Sequence, residues 1–313
     1  MISNRISLDI LKKQTIDAMK ECTICPRNCK VDRNLGKKGY CRENGEIKIA
    51  RAALHMWEEP CISGEEGSGT VFFSGCAMGC VFCQNRNIAT DEVGKIVTIE
   101  RLAEIFLELQ GQKANNINLV TPSHYVYQIR EAIKLARDGG LTVPIVYNSS
   151  AYEKVETLKG LDGFIDIYLP DMKYYEEAIA MRYSKAKNYY ETAKAAIAEM
   201  VRQVGLPEFD VNGHMTKGVI VRHLALPGYL KDSKKIIKYL YETYGDLIYI
   251  SIMNQYTPLP HVREHKEINR KLTKEEYEEL IDYAISLGVE NGFIQEGETA
   301  SESFIPAFDY EGV

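Results

Sequence analysis

The chain has 313 residues, 45% hydrophobic and 26% charged, with a formal net charge of −6. This is an ordinary globular balance, long enough for one large α/β domain and a small module. Nothing in it calls for nucleic acid or an anionic membrane as partner. The first residues, MISNRISLDILKKQ, lack the apolar core of a secretory signal, and no run approaches the roughly 18–20 apolar residues that span a bilayer. A cytoplasmic location without membrane attachment is expected. There the eight cysteines stay reduced, and metal or cluster ligation is favoured over a disulfide framework.

Five of the eight cysteines fall in the first ~68 residues, among short-loop signals such as RNLGKKGY and ENGE. A cysteine-rich module is expected over residues 1–68. The small, polar Ser63–Gly69 stretch (SGEEGSG) reads as a linker, and residues 69–313 form the larger domain. Thr70–Ser74 (TVFFS) reads as a buried strand. IERLAEIFLELQG follows as a helix with Leu102, Ile105, Phe106 and Leu109 on one face. Asn116–Val120 is a strand, and HYVYQIREAIKLARDGG a helix ended by Gly139 and Gly140. VPIVYN is a strand, YEKVETLKG a short helix and GFIDIYLP a strand. One long helical stretch is expected over Tyr174–Val204, with Tyr190, Ala193, Ile197, Met200 and Val204 in a stripe. GVIVRHLALP is a strand, KKIIKYLYETYG a helix, LIYISIM a strand, KEEYEELIDYAISLG the last helix and GFIQE a further short strand.

Six apolar strands alternating with helices predict βαβ units and a parallel sheet, either open and doubly wound or curled into a barrel. Both place their chemistry at the C-terminal ends of the strands. SGCAMGCVFCQN begins at such an end and carries Cys76, Cys80 and Cys83 as C-x3-C-x2-C. Disulfides need two thiols and a closed zinc site needs four. Three soft thiolates on a 4Fe–4S cube leave one iron without a protein ligand.

CAMGCVFC, with its aromatic Phe82 before the last cysteine, resembles the signature of the radical S-adenosylmethionine (radical SAM) superfamily. The CQN that follows, ending on Asn85, resembles the pyruvate formate-lyase activating enzymes of glycyl-radical enzymes. CTICPRNCKVDRNLGKKGYC, NLVTPSHY, VYNSSAY, YLPDMK and VRHLALPG are similar to the PflX-type branch of that group. The resemblance covers residues ~20 to ~256. It implies a partial (β/α)6 TIM-like barrel whose open iron binds the amino and carboxylate groups of SAM. One electron then cleaves the sulfonium C–S bond, and a 5′-deoxyadenosyl radical abstracts hydrogen from a substrate.

By the same resemblance, Phe82 flanks the adenine of SAM. Thr121, Ser123 and His124 stand where the family carries a GGE-like turn for the SAM amino group, although Ser123 also reads as a helix cap. Asn148, Ser149 and Ser150 face SAM from the end of a strand. Asp171 and Lys173 match a D-x-K element: Lys173 neutralises the SAM carboxylate, while Asp171 binds a hydroxyl, an amine or a monovalent cation. Arg222 matches an arginine near SAM, and a buried Arg needs an anionic partner. His223 points to the opposite face of its strand and reads as a satisfied strand histidine, with a cofactor-binding role as the alternative. Asn254 and Gln255 are weaker candidates.

Cys22, Cys25, Cys29 and Cys41 make a complete four-thiol set for zinc or a second iron–sulfur cluster. Cys61 reads as an idle buried thiol, with a radical-relay or exchangeable-ligand role as the alternative, and His55 and Trp57 beside it as packing. The implied partners are a polypeptide substrate, a glycyl-radical enzyme or another protein, and a flavodoxin- or ferredoxin-type electron donor. A different radical modification of a peptide, RNA or small molecule remains open. So does a non-catalytic iron–sulfur electron-transfer or scaffold protein, although such a carrier has no use for the polar strand ends.

Overall fold

A computed structural model describes residues 7–295 and 306–313. It begins with helix α1 (Leu8–Lys20), capped by Ser7, whose Oγ accepts the Ile10 N–H. The loops that carry Cys22–Cys41 contain a single 3₁₀ turn at Arg33–Leu35. The elements that follow are β1 (Ile47–His55), α2 (Pro60–Ser63), β2 (Ser68–Phe73), α3 (Arg86–Thr90) and β3 (Lys95–Val97). Next come α4 (Ile99–Gly111), β4 (Ile117–Val120), α5 (Val126–Asp138), β5 (Ile145–Ser149), α6 (Val155–Lys159) and β6 (Ile167–Pro170). The last third holds α7 (Glu177–Ser184), α8 (Tyr189–Val204), β7 (Glu208–Phe209), β8 (Met215–Leu224), α9 (Leu230–Tyr244), β9 (Tyr249–Met253), α10 (Lys274–Leu287) and β10 (Gly292–Ile294). Glu296, the end of the GFIQE segment, lies outside the described residues.

The strands form one sheet in the order β10-β9-β8-β6-β5-β4-β2-β1-β3, with β7 beside β8. All neighbours from β2 to β10 along this path are parallel, whereas β1 joins β2 and β3 antiparallel. The helical crossovers return each strand in the same direction, the pattern of a partial TIM-like barrel. β2 and β5 are buried along their whole length, as strands covered on both faces must be. Leu102, Ala103, Ile105, Phe106 and Leu109 of α4 are buried. Each such large apolar side chain contributes roughly 1.5–3 kcal/mol.

Two expectations are corrected. Tyr174–Val204 is not one helix: α7 ends at Ser184 and α8 starts at Tyr189, and both Lys185 and Asn188 take left-handed backbone. The break turns Tyr183, Ser184 and Lys185 toward the cysteine loop, where the Tyr183 carbonyl accepts the Val81 N–H at 2.8 Å. SGEEGSG is not a free linker either. Ser63 closes α2, Ser68 and Gly69 belong to β2, and Ser68 is fully buried against Asn116. The antiparallel pairing of β1 with β2 carries the sheet across residue 68.

At the other end of the chain, the Ala52 N–H bonds the Glu311 carbonyl (2.9 Å) and the Tyr310 N–H bonds the Ala50 carbonyl (3.2 Å). The final segment therefore lies along β1. No helix among the described residues is long and apolar enough to cross a membrane.

Candidate active site

The loop after β2 turns at Gly75, whose φ is +84°. A Cβ there would stand 2.5 Å from Glu43 Cγ and 2.6 Å from the Cys41 carbonyl, so only glycine permits the N-terminal segment to press this closely. Cys76, Cys80 and Cys83 follow and line a cavity of about 440 Å³. Burial, and then the neighbouring thiol charges, raise Cys76 and push Cys83 up to about 12. Alone these thiols stay protonated, and ligation through them needs a bound cation to draw the protons off. Two donors already point at sulfur: the Met78 N–H at Cys76 Sγ (3.3 Å) and the Ser184 hydroxyl at Cys80 Sγ (3.0 Å). Phe82 lines the cavity and packs edge-on against Tyr174, Tyr183 and Tyr256, with centroids 5.9–6.4 Å away.

The strand ends supply the polar wall. Asn85, Thr121, Asn148, Ser149, Ser150, Asp171, Lys173, Arg222 and Gln255 all reach the cavity. Thr121 and Ala151, just past β4 and β5, take left-handed backbone at φ 59° and 56°. Such conformations are costly for residues with a Cβ and gather at functional sites. Arg222 is the hub. Its Nε donates to Asp171 Oδ1 (2.8 Å), Nη1 to Glu58 Oε2 (2.9 Å) and Nη2 to Asn148 Oδ1 (2.7 Å). Lys173 Nζ holds the other Asp171 oxygen at 2.7 Å. Burial pushes Asp171 up, but Arg222 and Lys173 outweigh it and leave the carboxyl below its usual value. Burial likewise works against the charge of Lys173, and Asp171 and Cys80 overcome it. Both Asp171 oxygens are thus engaged by cationic side chains, where the sequence suggested a bound monovalent cation.

Four expected site residues, Ser123, His124, His223 and the weaker candidate Asn254, do not line the cavity. The Ser123 hydroxyl donates to Glu153, a buried carboxyl pushed up to about 7 by burial despite bonds from Ser123 and Ser149. His124 donates through Nε2 to the Ser74 carbonyl (2.6 Å), and burial followed by the Arg33 charge takes its pKa down to about 3. His223 donates through Nδ1 to the Met172 carbonyl (2.8 Å) and accepts at Nε2 from Ser233 (2.8 Å). Burial lowers its pKa to about 4, so it stays neutral. Ser123 and His124 brace the loop after β4, and His223 locks β8 to α9. Cys61 is buried, and burial followed by the Glu59 charge pushes its thiol up to about 12. His55 and Trp57, expected only to pack, line the cavity together with Glu58 and Glu59.

The four N-terminal thiols are all free, three buried and Cys29 half-buried. Cys29 Sγ and Cys41 Sγ lie 3.3 and 3.8 Å from where a Cβ on Gly39 would stand. The Tyr40 N–H points at Cys29 Sγ (3.1 Å). Burial, then the charges of Cys41 and Cys22 among others, push Cys25 up to about 12. Among the described residues no three His, Cys, Asp or Glu are gathered tightly enough to hold a single ion. A single zinc ion draws its thiolates to about 2.3 Å from one point. Arg27, two residues after Cys25, joins this segment to the cavity. It donates to the carbonyls of Ala77 (2.7 Å), Met78 (3.2 Å), Ser184 (2.9 Å) and Lys185, and stacks 3.8 Å from the Tyr40 ring centroid.

Comparison with known proteins agrees with this architecture. Residues 70–240 match the model of the radical SAM superfamily. An uncharacterized protein of Methanocaldococcus jannaschii is 28% identical over 290 residues, covering 88% of this chain and 78% of the relative. The crystal structure of methylornithine synthase (PylB) superposes with a TM-score of 0.51 at 13% identity, over 92% of this chain and 74% of that one. SuiB of Streptococcus suis, bound to its precursor peptide SuiA, gives a TM-score of 0.49 at 12% identity, over 72% of this chain. The chain spans about half the length of SuiB, 47% in that complex. With the cysteine triad at the end of its first parallel strand and the family match running over residues 70–240, the chain belongs to the radical SAM superfamily.

Proposed function

We propose that this radical SAM enzyme abstracts hydrogen from a protein or peptide and acts as a glycyl-radical-enzyme activase, with a 4Fe–4S cluster on Cys76, Cys80 and Cys83. When bound, the cluster with SAM supplies one-electron cleavage of a sulfonium C–S bond and, through it, hydrogen abstraction. The chain's own residues bind and exclude. Lys173 offers positive charge to a carboxylate while Asp171 keeps that ammonium in place. Asn148, Ser149, Ser150 and Thr121 offer donors and acceptors along one wall. Phe82 and its tyrosines form an apolar wall that keeps water from a reactive species.

The observation that carries the polypeptide reading is the shape of the opening. A second depression of about 170 Å³ shares His55, Trp57, Phe72 and Pro306 with the main cavity. Together they suit an extended segment that feeds one residue inward. A flavodoxin- or ferredoxin-type donor supplies the electron, and Cys22, Cys25, Cys29 and Cys41, which are not gathered around a single point in the described structure, are the candidate ligands that zinc or an iron–sulfur cluster would draw together. The test is SAM turnover by the cluster-reconstituted, reduced protein. 5′-Deoxyadenosine should form, and Cys80→Ala should abolish it while Cys25→Ala leaves the barrel cluster's spectroscopic signal in place. No product from a fully loaded protein refutes the enzyme reading, and loss of the barrel signal in Cys25→Ala refutes two independent sites.

A further inference from the structure

The connection between β1 and α2 sends two adjacent carboxylates, Glu58 and Glu59, into the cavity wall. Glu58 is fully used: Oε2 sits on Arg222 and Oε1 accepts from Asn118 Nδ2 at 3.0 Å. Glu59 is not. It is only 8% exposed, its Oε2 has no hydrogen-bond partner, and among the described residues no basic side chain pairs with it. Arg222 already carries Asp171 and Glu58, and Lys173 carries Asp171. Three carboxylates therefore face two cations, and Glu59 is the one left over.

A buried carboxylate is costly unless it is paired and hydrogen-bonded. A neutral donor would fill the empty lone pair and leave the charge; a cationic donor answers both. We infer that Glu59 is the recognition point for a positively charged group of the substrate, an alkylammonium or a guanidinium, held in the cavity next to Arg222. This rests on the reading that substrate reaches the same cavity, and it narrows the substrate to one with a basic group near the reacting atom. Burial, opposed by Arg222 and reinforced by Glu58, holds the Glu59 carboxyl above its usual value, even with a hydrogen bond from Ser251. An incoming cation relieves that penalty. Trp57 and Met56, 63% and 43% exposed at the rim, offer apolar surface for the aliphatic stem of such a group.

The test is calorimetric titration of the cluster-loaded, SAM-bound protein. The probes are N-acetyl-lysinamide, N-acetyl-argininamide, the neutral N-acetyl-norleucinamide, and n-butylamine as the free-amine arm. At least one cationic probe should bind about tenfold or more tightly than the norleucine compound, and Glu59→Gln should erase that preference. Glu59→Asp, which keeps the charge, should retain part of it. Preference for the amino-acid amides over n-butylamine assigns the group to a polypeptide side chain; the reverse assigns it to a free amine. Equal binding of neutral and cationic probes, no binding by any cation, or unchanged preference in Glu59→Gln overturns the inference. So does a Glu59→Gln defect confined to SAM affinity, which would give the carboxylate to SAM instead. 5′-Deoxyadenosine formation is scored separately, so failure of turnover and failure of cation recognition are told apart.

Discussion

Glu153 is the residue whose replacement gives the sharpest reading of this site's electrostatics. It lies behind the β5 end of the cavity wall, takes hydrogen bonds from Ser123 and Ser149, and is pushed by burial from 4.5 up to about 7. Below about pH 4.5 the carboxyl is protonated in both folded and unfolded chains, so its full contribution to stability is present. As pH rises toward 7 the unfolded chain ionises first. The folded state, which holds its proton longer, loses relative stability until the folded pKa is passed. A shift of this size corresponds to about 3 kcal/mol lost between mildly acidic and alkaline pH. Glu153→Gln keeps a neutral side chain of nearly the same shape and escapes that loss. Its advantage over the parent chain should be smallest near pH 5 and approach about 3 kcal/mol near pH 9, an increase in relative Tm of about 4 °C for a chain of this size. Urea unfolding of both proteins across this range, followed by circular dichroism, measures the difference with all other titrations in common. Parallel profiles, or an advantage that shrinks as pH rises, would refute the reasoning.

Further perturbations test the rest of the framework. Arg222→Met should cost about 3–5 kcal/mol in urea unfolding, because it strands Glu58 as a buried charge and leaves Asp171 with Lys173 alone; a change under about 1 kcal/mol would show the hub to be dispensable. Gly75→Ala meets both a left-handed φ and Glu43 at 2.5 Å. It should destabilise by more than about 1 kcal/mol and lower the iron retained after reconstitution, and full retention with unchanged stability would contradict that. Metal analysis of a Cys76/Cys80/Cys83 triple alanine variant should find zinc or iron still bound at the N-terminal thiols. A metal-free variant would remove that site.

Much of this arrangement was legible because apolar runs and strand ends are strong signals. All the parallel strands from TVFFS to LIYISIM formed where their apolar residues predicted. The polar residues that close them (Asn148, Ser149, Asp171, Lys173 and Arg222) converge for the topological reason that ends of parallel strands share one rim. β1 was missed because Lys48 and Arg51 interrupt its pattern and its partners are antiparallel. The helix break at Lys185–Asn188 has no glycine or proline to announce it. It is set by contacts with the cysteine loop 100 residues away in sequence, such as Ser184 to Cys80. Glu58 and Glu59 are not legible in EEP beside a tryptophan, which has the composition of a solvated turn; only Arg222, brought in by the fold, accounts for the burial of Glu58. His124 and His223 show the converse. His124 was expected to serve SAM and His223 chiefly to be a satisfied strand histidine; backbone carbonyls and burial commit both rings to bracing the scaffold.

The position of Arg27 bears on how the enzyme is made. Its guanidinium closes on the Ala77 and Met78 carbonyls only together with those of Ser184 and Lys185, and Cys80 receives its hydrogen bond from Ser184. While a ribosome is still translating α7, the three cysteines are already synthesised, but the loop that carries them lacks half of its fixed partners. The finished loop geometry is therefore reached only after more than half of the chain has emerged. A truncated product that ends before α7 would present Cys76, Cys80 and Cys83 on an unbraced loop.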